Sequence, residues 1–327
     1  MIRSLVFLWL IAIGTIGSVW AQTRQLIPTS YETGRFVATL RVGETNTLRL
    51  LVDTSGPSFF GLYELSGNAI KRFNLPVAPC NISGATIDLV KPFSGSEDLP
   101  VVTGTPCNSV AIAQTRPDID GWDGYIGDGY LMHFIWTFDY PKKQLWREPE
   151  SWKPSAGMYA AKLGFRKNKR GEKQWGTPRI TLLVDGEPID MKLDTGAPTF
   201  TIKQTGYQQT TPAISGSSYI TKSTIDRLIQ DHPDCCVVML RDHGVRVIKV
   251  TKLEIAGWVI GPVWFAEAPD AVFSNASGGG SMDMDKPVYG AAGPNIFDHL
   301  SMTLDYRTDT AWFACVSGCY AAKNIKN

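Results

Sequence analysis

The chain has 327 residues, and one short phrase occurs in it twice. Residues 52–57 read Val-Asp-Thr-Ser-Gly-Pro, and residues 193–198 read Leu-Asp-Thr-Gly-Ala-Pro. In each copy an apolar, strand-forming run leads into one aspartate, a threonine and small residues that permit a tight turn. Asp53 and Asp194 lie 141 residues apart in two similar halves, so the duplication predicts two carboxylates that meet in one site.

The repeat extends beyond the aspartates. Residues 124–146 align without gaps onto residues 290–312, an offset of 166. The identical pairs in this alignment are Gly124/Gly290, Gly127/Gly293, His133/His299, Thr137/Thr303, Asp139/Asp305, Tyr140/Tyr306 and Trp146/Trp312. Because the second offset is larger than the first, the second half carries insertions, and residues 271–286 are the predicted inserted loop.

Alternating apolar and polar residues precede each aspartate. The alternation ends at a glycine in residues 39–43 and at Asp-Gly in residues 181–186, and a second apolar run follows. This pattern predicts a β-hairpin that leads into each aspartate. Helix signals are few: residues 223–229, capped by Thr221 or Ser223, and single turns at 129–135 and 295–301. The prediction is a mainly β, bilobal protein with lobes at residues 22–150 and 151–327.

The N-terminus has the three parts of a secretory signal peptide, predicted over residues 1–21. Arg3 supplies the positive charge, residues 5–16 form an apolar core, and residues 19–21 form a small-x-small cleavage site. This core is shorter than the roughly 20 residues of a membrane span. We therefore expect a secreted or periplasmic monomer with no integral membrane segment after cleavage. The net charge of +1 gives no reason to expect nucleic acid as a partner.

The six cysteines suit an oxidising compartment. Cys80 and Cys107 can close one loop in the first half. Two further bridges, with three possible pairings, are open to Cys235, Cys236, Cys315 and Cys319. A metal site at His232 with the adjacent cysteines is the weaker interpretation, because neighbouring cysteines do not easily supply tetrahedral geometry. No metal and no cofactor are expected.

The motifs resemble those of the retropepsin and pepsin group of aspartic peptidases, over residues 34–313. Residues 194–197 match the active-site signature, and residues 123–127 resemble the second signature, in which a hydrophobic pair and a glycine pack beneath the aspartate turn. Asp-Tyr at 139–140 and 305–306 resembles the strand that ends bacterial retropepsin-like units. The resemblance implies a pepsin-like acid-protease fold, with two β-barrel-like lobes in tandem on one chain and a cleft between them.

The same resemblance implies that Asp53 and Asp194 form a catalytic pair acting on a peptide or protein substrate. Two carboxylates held close cannot both ionise easily, so they share a proton. One then acts as general base on a water while the other polarises the scissile carbonyl. The residues expected to support the active-site turns are Thr54, Ser55, Thr195 and Gly196. The glycines expected in the second signature are Gly124, Gly127, Gly290 and Gly293.

Two features depart from the group's pattern. Ser55 stands where glycine is expected, because the backbone turns sharply there and its amide must reach the carboxylate. Serine fits this position if its φ angle stays negative. In addition, no Tyr-Gly pair marks a flap over the substrate, and the candidate hairpin tips are residues 81–84 and 242–244.

These observations leave two functions open, an exported aspartic endopeptidase and a peptide-binding module that has lost turnover. Ser55 and the missing flap signature motivate the second. Motifs of serine hydrolases and zinc peptidases are absent from the sequence. The equivalent positions of His133 and His299 indicate packing rather than catalysis. A calcium loop is not expected. The ligand spacing of an EF-hand differs from the spacing of the four aspartates in this region, Asp118, Asp120, Asp123 and Asp128.

Overall fold

The computed structural model describes residues 23–116, 118, 121–202, 214–234, 236–240 and 245–322. The predicted signal peptide, the hairpin tip at 242–244, Asp120 and Cys235 lie outside the described residues. Within the described ranges, no helix is long and apolar enough to span a membrane.

The first half consists of short strands joined by turns, with two short helices. The helices are α1 (Gly67–Phe73) and α2 (Asp128–Leu131). The strands are β1 (Gln25–Ile27), β2 (Thr29–Glu32), β3 (Arg35–Val42), β4 (Asn46–Val52), β5 (Tyr63–Leu65), β6 (Val77–Ile82), β7 (Ala85–Val90), β8 (Ala111–Ala113), β9 (Gly124–Ile126), β10 (Ile135–Asp139) and β11 (Gln144–Glu148).

The second half has the same character and one longer helix, α3 (Lys222–Asp231). Its strands are β12 (Tyr159–Lys162), β13 (Arg179–Val184), β14 (Glu187–Leu193), β15 (Phe200–Ile202), β16 (Ile214–Gly216), β17 (Ser218–Thr221), β18 (Cys236–Leu240), β19 (Arg246–Val250), β20 (Leu253–Ile255), β21 (Trp258–Ile260), β22 (Val263–Ala268), β23 (Gly290–Ala292), β24 (Leu300–Asp305), β25 (Thr310–Cys315) and β26 (Tyr320–Ala321).

The two large sheets share one strand order. It is β3-β4-β9-β5-β8-β7-β6 in the first half and β13-β14-β23-β17-β22-β19-β18 in the second. In both sheets the strand before the aspartate pairs in parallel with the strand of the second signature, β4 with β9 and β14 with β23. Both predicted hairpins, β3–β4 and β13–β14, are present. The sequence repeat is thus a repeat of topology, and the prediction of a mainly β chain with two related lobes is confirmed.

A third sheet joins the halves, with the strand order β1-β11-β10-β24-β25-β12. Its two central strands come from different halves and run antiparallel, and Thr137 lies opposite Thr303. The Oγ1 atoms of these two threonines, 166 residues apart, are 2.7 Å from each other. The approximate twofold axis that relates the halves therefore passes between Thr137 and Thr303.

One apolar core runs through this central sheet into both halves. From the first half Trp136 and Phe138 are almost completely buried, and from the second half Met302 and Leu304 are as well. Burial of apolar surface is worth about 25 cal/mol per Å². The halves therefore stabilise each other through a shared core, and the core holds the two aspartate loops in a defined relation.

The predicted helix at 223–229 is confirmed as α3, which begins after Thr221. Helix α2 and a 3₁₀ turn at Pro294–Ile296 each begin one residue before the predicted helical turns at 129–135 and 295–301 and overlap their first residues. The sequence analysis missed helix α1, whose first residues, Gly67 and Asn68, have the composition of a turn. Ser66 caps this helix by accepting a hydrogen bond from the Ala69 amide at 3.2 Å.

The predicted disulfide between Cys80 and Cys107 is present, with a Cα–Cα distance of 6.1 Å. In the second half Cys315 is bonded to Cys319, also with a Cα–Cα distance of 6.1 Å. Cys315–Cys319 is one of the bridges that the sequence left open. Both distances lie in the usual range for disulfides.

Candidate active site

The two aspartate loops leave their sheets by the same route. The Asp53 amide donates to Ile126 O at 3.0 Å, and the Asp194 amide donates to Ala292 O at 3.0 Å. Each loop then closes a turn on the aspartate's own carbonyl, at 3.3 Å in the first loop and 3.4 Å in the second. The two side chains therefore begin from equivalent backbone positions at the end of β4 and β14.

Thr54 and Thr195 join the loops through reciprocal hydrogen bonds. The Thr54 amide donates to Thr195 Oγ1 at 3.1 Å, and the Thr195 amide donates to Thr54 Oγ1 at 3.0 Å. Each hydroxyl in turn donates across to the opposite strand, to Leu193 O at 2.8 Å and to Val52 O at 2.9 Å. Both threonines are fully buried. These four bonds fix the two aspartates side by side.

The four glycines of the second signature lie where a side chain has no room. A Cβ at Gly124 would overlap Glu64 O, and one at Gly290 would overlap Tyr219 O. A Cβ at Gly127 would meet Gly56 O in the same way, and at Gly293 it would overlap Ser217 O. The strands beneath each aspartate loop can approach this closely because the glycines carry no side chain.

Gly196 lies against the aspartate of the opposite loop. A Cβ atom at this position would overlap the Cγ of Asp53. The glycine in the second loop therefore makes room for the carboxyl group of the first.

The Ser55 position is compatible with a well-formed loop. Its φ angle lies outside the left-handed region that favours glycine. Its amide donates to Asp53 Oδ1 at 2.8 Å. The first loop thus makes the amide–carboxylate contact that the turn requires, although serine replaces glycine in it.

The carboxyl group of Asp194 has a perturbed pKa. Burial, with a further contribution from the neighbouring Asp53 carboxylate, raises the pKa of Asp194 to about 7. The charge of Lys192 and a hydrogen bond from the Ser55 side chain act in the opposite direction on this pKa. Its Oδ1 atom is buried and has no hydrogen-bond partner among the described residues. Asp194 therefore favours its protonated form below about pH 7.

Asp128 is a residue of the site that the sequence analysis considered only as part of a calcium loop. Its side chain is buried and accepts hydrogen bonds from the Ser58 amide at 3.1 Å, the Gly176 amide at 3.1 Å and the Thr177 hydroxyl at 2.8 Å. Its own amide donates to Gly56 O at 2.9 Å. Burial raises the pKa of Asp128, against these hydrogen bonds. The available signal was a carboxylate directly after the glycine of the second signature.

A buried tyrosine from each half lies in the electrostatic field of the site. The hydroxyls of Tyr140 and Tyr306 are buried and have no hydrogen-bond partner among the described residues. Burial raises the pKa of both, with smaller contributions from Asp194 for Tyr140 and from Asp53 for Tyr306. Their neutral rings add to the low-dielectric surroundings of the two carboxyl groups.

Two surface cavities are lined in part by the residues that directly follow the aspartate loops, Ser58 and Thr199. One, of about 330 Å³, is lined by Thr199 and Asp298, and the other, of about 440 Å³, by Ser58 and Met132. The repeat relates Ser58 to Thr199 and Met132 to Asp298, by the offsets of 141 and 166. In the second cavity Trp175 packs edge-on against Phe59, with ring centroids 5.6 Å apart. Each aspartate loop is therefore followed along the chain by a residue that lines an open recess.

The β6–β7 turn is the candidate flap tip that lies within the described residues, and Asp123 belongs to the second signature. Residues 81–84 form the turn of the β6–β7 hairpin, where Asn81 Oδ1 accepts a hydrogen bond from the Gly84 amide at 3.1 Å. Asp123 accepts hydrogen bonds from the Arg49 amide and the Arg72 side chain. In the ranges that the structure describes, no group of three His, Cys, Asp or Glu side chains is arranged as metal ligands.

No family model matches the sequence, and no curated protein sequence matches it. Among solved structures, similarity is found to basic 7S globulin from soybean, with 10% identity, a TM-score of 0.41 and coverage of 90% of this chain and 95% of that one. An aspartic proteinase from Irpex lacteus has 10% identity, a TM-score of 0.41 and coverage of 90% and 98%. A retropepsin-like aspartic protease from Rickettsia conorii has 15% identity, a TM-score of 0.27 and coverage of 52% and 98%.

Proposed function

We propose that the protein is an exported aspartic endopeptidase, in which Asp53 and Asp194 together activate a water that attacks the peptide bond. The observation that carries this proposal is the reciprocal bonding of Thr54 and Thr195, which fixes one aspartate from each half beside the other. If each aspartate only formed a turn, the two loops would not need to be joined by these hydrogen bonds.

The chemistry follows from the unequal surroundings of the two carboxyl groups. Asp194, whose pKa is about 7, holds the shared proton below that pH and can donate a hydrogen bond to the scissile carbonyl. The ionised partner then accepts a proton from the attacking water. The two groups titrate as one coupled pair, so activity is expected to fall as the pH rises through about 7.

A peptide is the substrate class that best suits the surroundings of the pair. Two surface cavities, whose linings include the repeat-related residues Ser58 and Thr199, adjoin the ends of the aspartate loops in the chain. An extended chain that crosses the aspartates can place one side chain in each cavity. Export is proposed from the signal sequence at residues 1–21, and the two disulfides agree with it.

The decisive experiment compares three Asp→Asn variants of the purified mature protein. Asp53→Asn and Asp194→Asn are expected to abolish cleavage, whereas Asp88→Asn, an exposed carboxylate on β7, keeps wild-type activity. A complex peptide mixture, analysed by mass spectrometry between about pH 3 and 8, also covers an enzyme of narrow specificity. Wild-type cleavage by both dyad variants would exclude the mechanism.

A second candidate function is a peptide-binding module without turnover, which Ser55 favours because it occupies a glycine position of the family signature. This candidate predicts that the wild-type protein retains peptides at every pH and cleaves none of them. Cleavage that pepstatin inhibits would rule it out. The two Asp→Asn variants separate the candidates further, since only the peptidase loses a reaction.

A further inference from the structure

The first half contains a cavity of about 670 Å³ that is separate from the two aspartate loops. Its wall includes Tyr63 on β5, Val110 before β8, Tyr130 on α2 and most of the segment 97–104, which we call the strap. None of the residues that line it belongs to the aspartate loops at 53–57 and 194–198. The volume lies within the range of small-molecule sites, about 300–1,000 Å³.

The strap is anchored near both ends. At its start Arg41 Nη2 pairs with Asp98 Oδ1 at 2.6 Å, and Leu99 is buried. The Tyr130 hydroxyl donates to Pro100 O. Beyond its end the disulfide of Cys107 fixes the chain to β6. Between these anchors Val101 is 69% exposed, so the middle of the strap lies at the surface and covers the cavity.

The cavity is apolar and carries almost no charge. Its walls present the rings of Tyr63 and Phe93 and the aliphatic side chains of Leu99 and Val110. Glu97 is the one charged residue that lines it; its side chain is 63% exposed and lies 3.7 Å from an Arg41 nitrogen. A charged ligand would lose its hydration there without gaining a counter-charge. The walls therefore select a neutral molecule.

Two polar groups of the wall have unused hydrogen-bonding capacity. Tyr63 and Ser109 are 2% and 3% exposed, and their hydroxyl oxygens have no hydrogen-bond partner among the described residues. Neighbouring hydroxyls of the same wall are satisfied, for example Thr105 Oγ1, which donates to Ser109 O at 2.7 Å. Buried polar groups without partners are uncommon in folded proteins. Both oxygens have almost no accessible surface, so a ligand atom can supply the missing hydrogen bond only after the side chain turns toward the cavity.

We propose that this cavity binds a neutral, mainly apolar small molecule that carries a hydrogen-bonding group and lies beneath the strap. The inference rests on the volume, the uncharged wall and the two unpaired hydroxyls. It does not depend on the proposed peptidase activity, because no residue of the dyad takes part.

The test uses the neutral fluorophore N-phenyl-1-naphthylamine with the purified mature protein. Val110→Trp places an indole in the cavity and is expected to weaken binding at least about tenfold. The matched control is Val272→Trp, at a valine of the second half that is 50% exposed and lies outside this cavity. It is expected to bind like the wild type. Absence of binding to the wild type, or equal affinity of both variants, overturns the proposal.

A second measurement keeps the proposal testable if Val110→Trp does not fold. The wild-type protein, labelled at its Leu and Val methyl groups, is titrated with the same fluorophore and followed by NMR. Shift changes concentrated at Leu99, Val101, Val102 and Val110 support the site. Changes that appear only at the exposed Val272 or Val316, or are spread evenly over the protein, contradict it.

Discussion

The two aspartate loops are alike in backbone and unlike in the surroundings of their carboxyl groups. In the first loop, which departs from the active-site signature of the peptidases that the sequence resembles, the Ser55 amide donates to Asp53 Oδ1 at 2.8 Å. In the second loop, which matches the signature, Asp194 Oδ1 is buried without a partner among the described residues. The loop that departs from the signature thus gives its carboxylate a backbone hydrogen bond, and in the conforming loop burial raises the pKa of Asp194. This asymmetry suits the proposed dyad, whose two carboxyl groups would share one proton.

The loops also differ in the hydrogen bonds made by the residues that support them, Asp128 and Asn295. Asp128 connects the first loop at Ser58 to the second half at Thr177. In the second half Asn295 has the nearest equivalent role, since it accepts hydrogen bonds from the Ser217 amide and the Ser218 hydroxyl. Among the described residues, all of its hydrogen-bond partners lie in its own half. Asn295 therefore does not bridge the halves as Asp128 does, and the second half reaches the first at a different point, where the Thr199 hydroxyl donates to Thr33 O at 2.6 Å.

The largest effect is expected from Gly196→Ala. The new Cβ would overlap Asp53 Cγ, so one of the two loops must move. A displacement of about 1 Å at reacting groups lowers the rate at least about 100-fold. The measurement is the rate of peptide cleavage, with Ala197→Ser as a control at the next position of the loop. An active Gly196→Ala variant would show that the loops do not need this close approach.

The next effect concerns the pH dependence of stability. The pKa of Asp194 is about 7 in the folded protein, above its value in an unfolded chain. Its stabilising contribution is therefore complete below about pH 4 and is lost as the pH rises through about 7. The loss amounts to at most about 4 kcal/mol, because each pKa unit corresponds to about 1.4 kcal/mol.

Urea unfolding of the wild type and of Asp194→Asn at several pH values measures this contribution. The variant is expected to lose less stability than the wild type across the range from about pH 4 to 7. Part of the slope remains in the variant, because burial also raises the pKa values of Glu64 and Asp128. Parallel curves for the two proteins would mean that Asp194 is not the perturbed group.

Asp128→Asn tests the tie between the first loop and the second half. An asparagine can accept with one oxygen only, so the hydrogen bonds from Ser58, Gly176 and Thr177 are not all retained. The expected loss of stability is about 1–3 kcal/mol. Asn295→Ala is the control in the second half, and it should lower stability while changing the cleavage rate less. If Asp128→Asn and Asn295→Ala changed the cleavage rate equally, Asp128 would have no special role in connecting the first loop to the second half.

The smallest effect is expected from Ser55→Gly, which restores the family signature. Glycine loses more conformational freedom on folding, so stability should fall by less than about 1 kcal/mol. The pKa of Asp194 should rise, because the Ser55 side chain lowers it in the wild type. A pH–rate profile measures that shift. A gain in activity of about 100-fold or more would instead show that Ser55 impairs the dyad.

The outline of the fold could be predicted because the repeated motifs are short sequence patterns that determine local structure. The hairpins before Asp53 and Asp194 follow from alternating residues and turn glycines, and both are present. Helix α1 was missed because its N-terminal Gly67 and Asn68 favour a turn on their own. The Ser66 cap and the packing of Ala69 in the core override that local preference.

The candidate site could be predicted only in part, for a similar reason. Sequence marked the two aspartates, their threonines and the four glycines, since each belongs to a repeated motif. It did not mark Asp128 as a tie between the halves, because the equivalent position in the second half is Pro294 and no repeat draws attention to it.

The sequence by itself determined that the chain is a duplicated, mainly β protein with one aspartate turn in each half, because strand alternation and turn residues act over short distances. Only the tertiary structure shows that Thr54 and Thr195 join the two turns by hydrogen bonds and that the Ser55 amide donates to the Asp53 carboxylate. It also shows the burial that raises the pKa of Asp194. These features depend on burial and on contacts between residues that are far apart in the chain, such as Thr54 and Thr195, which are separated by 141 positions. Such contacts leave no local signal in the chain.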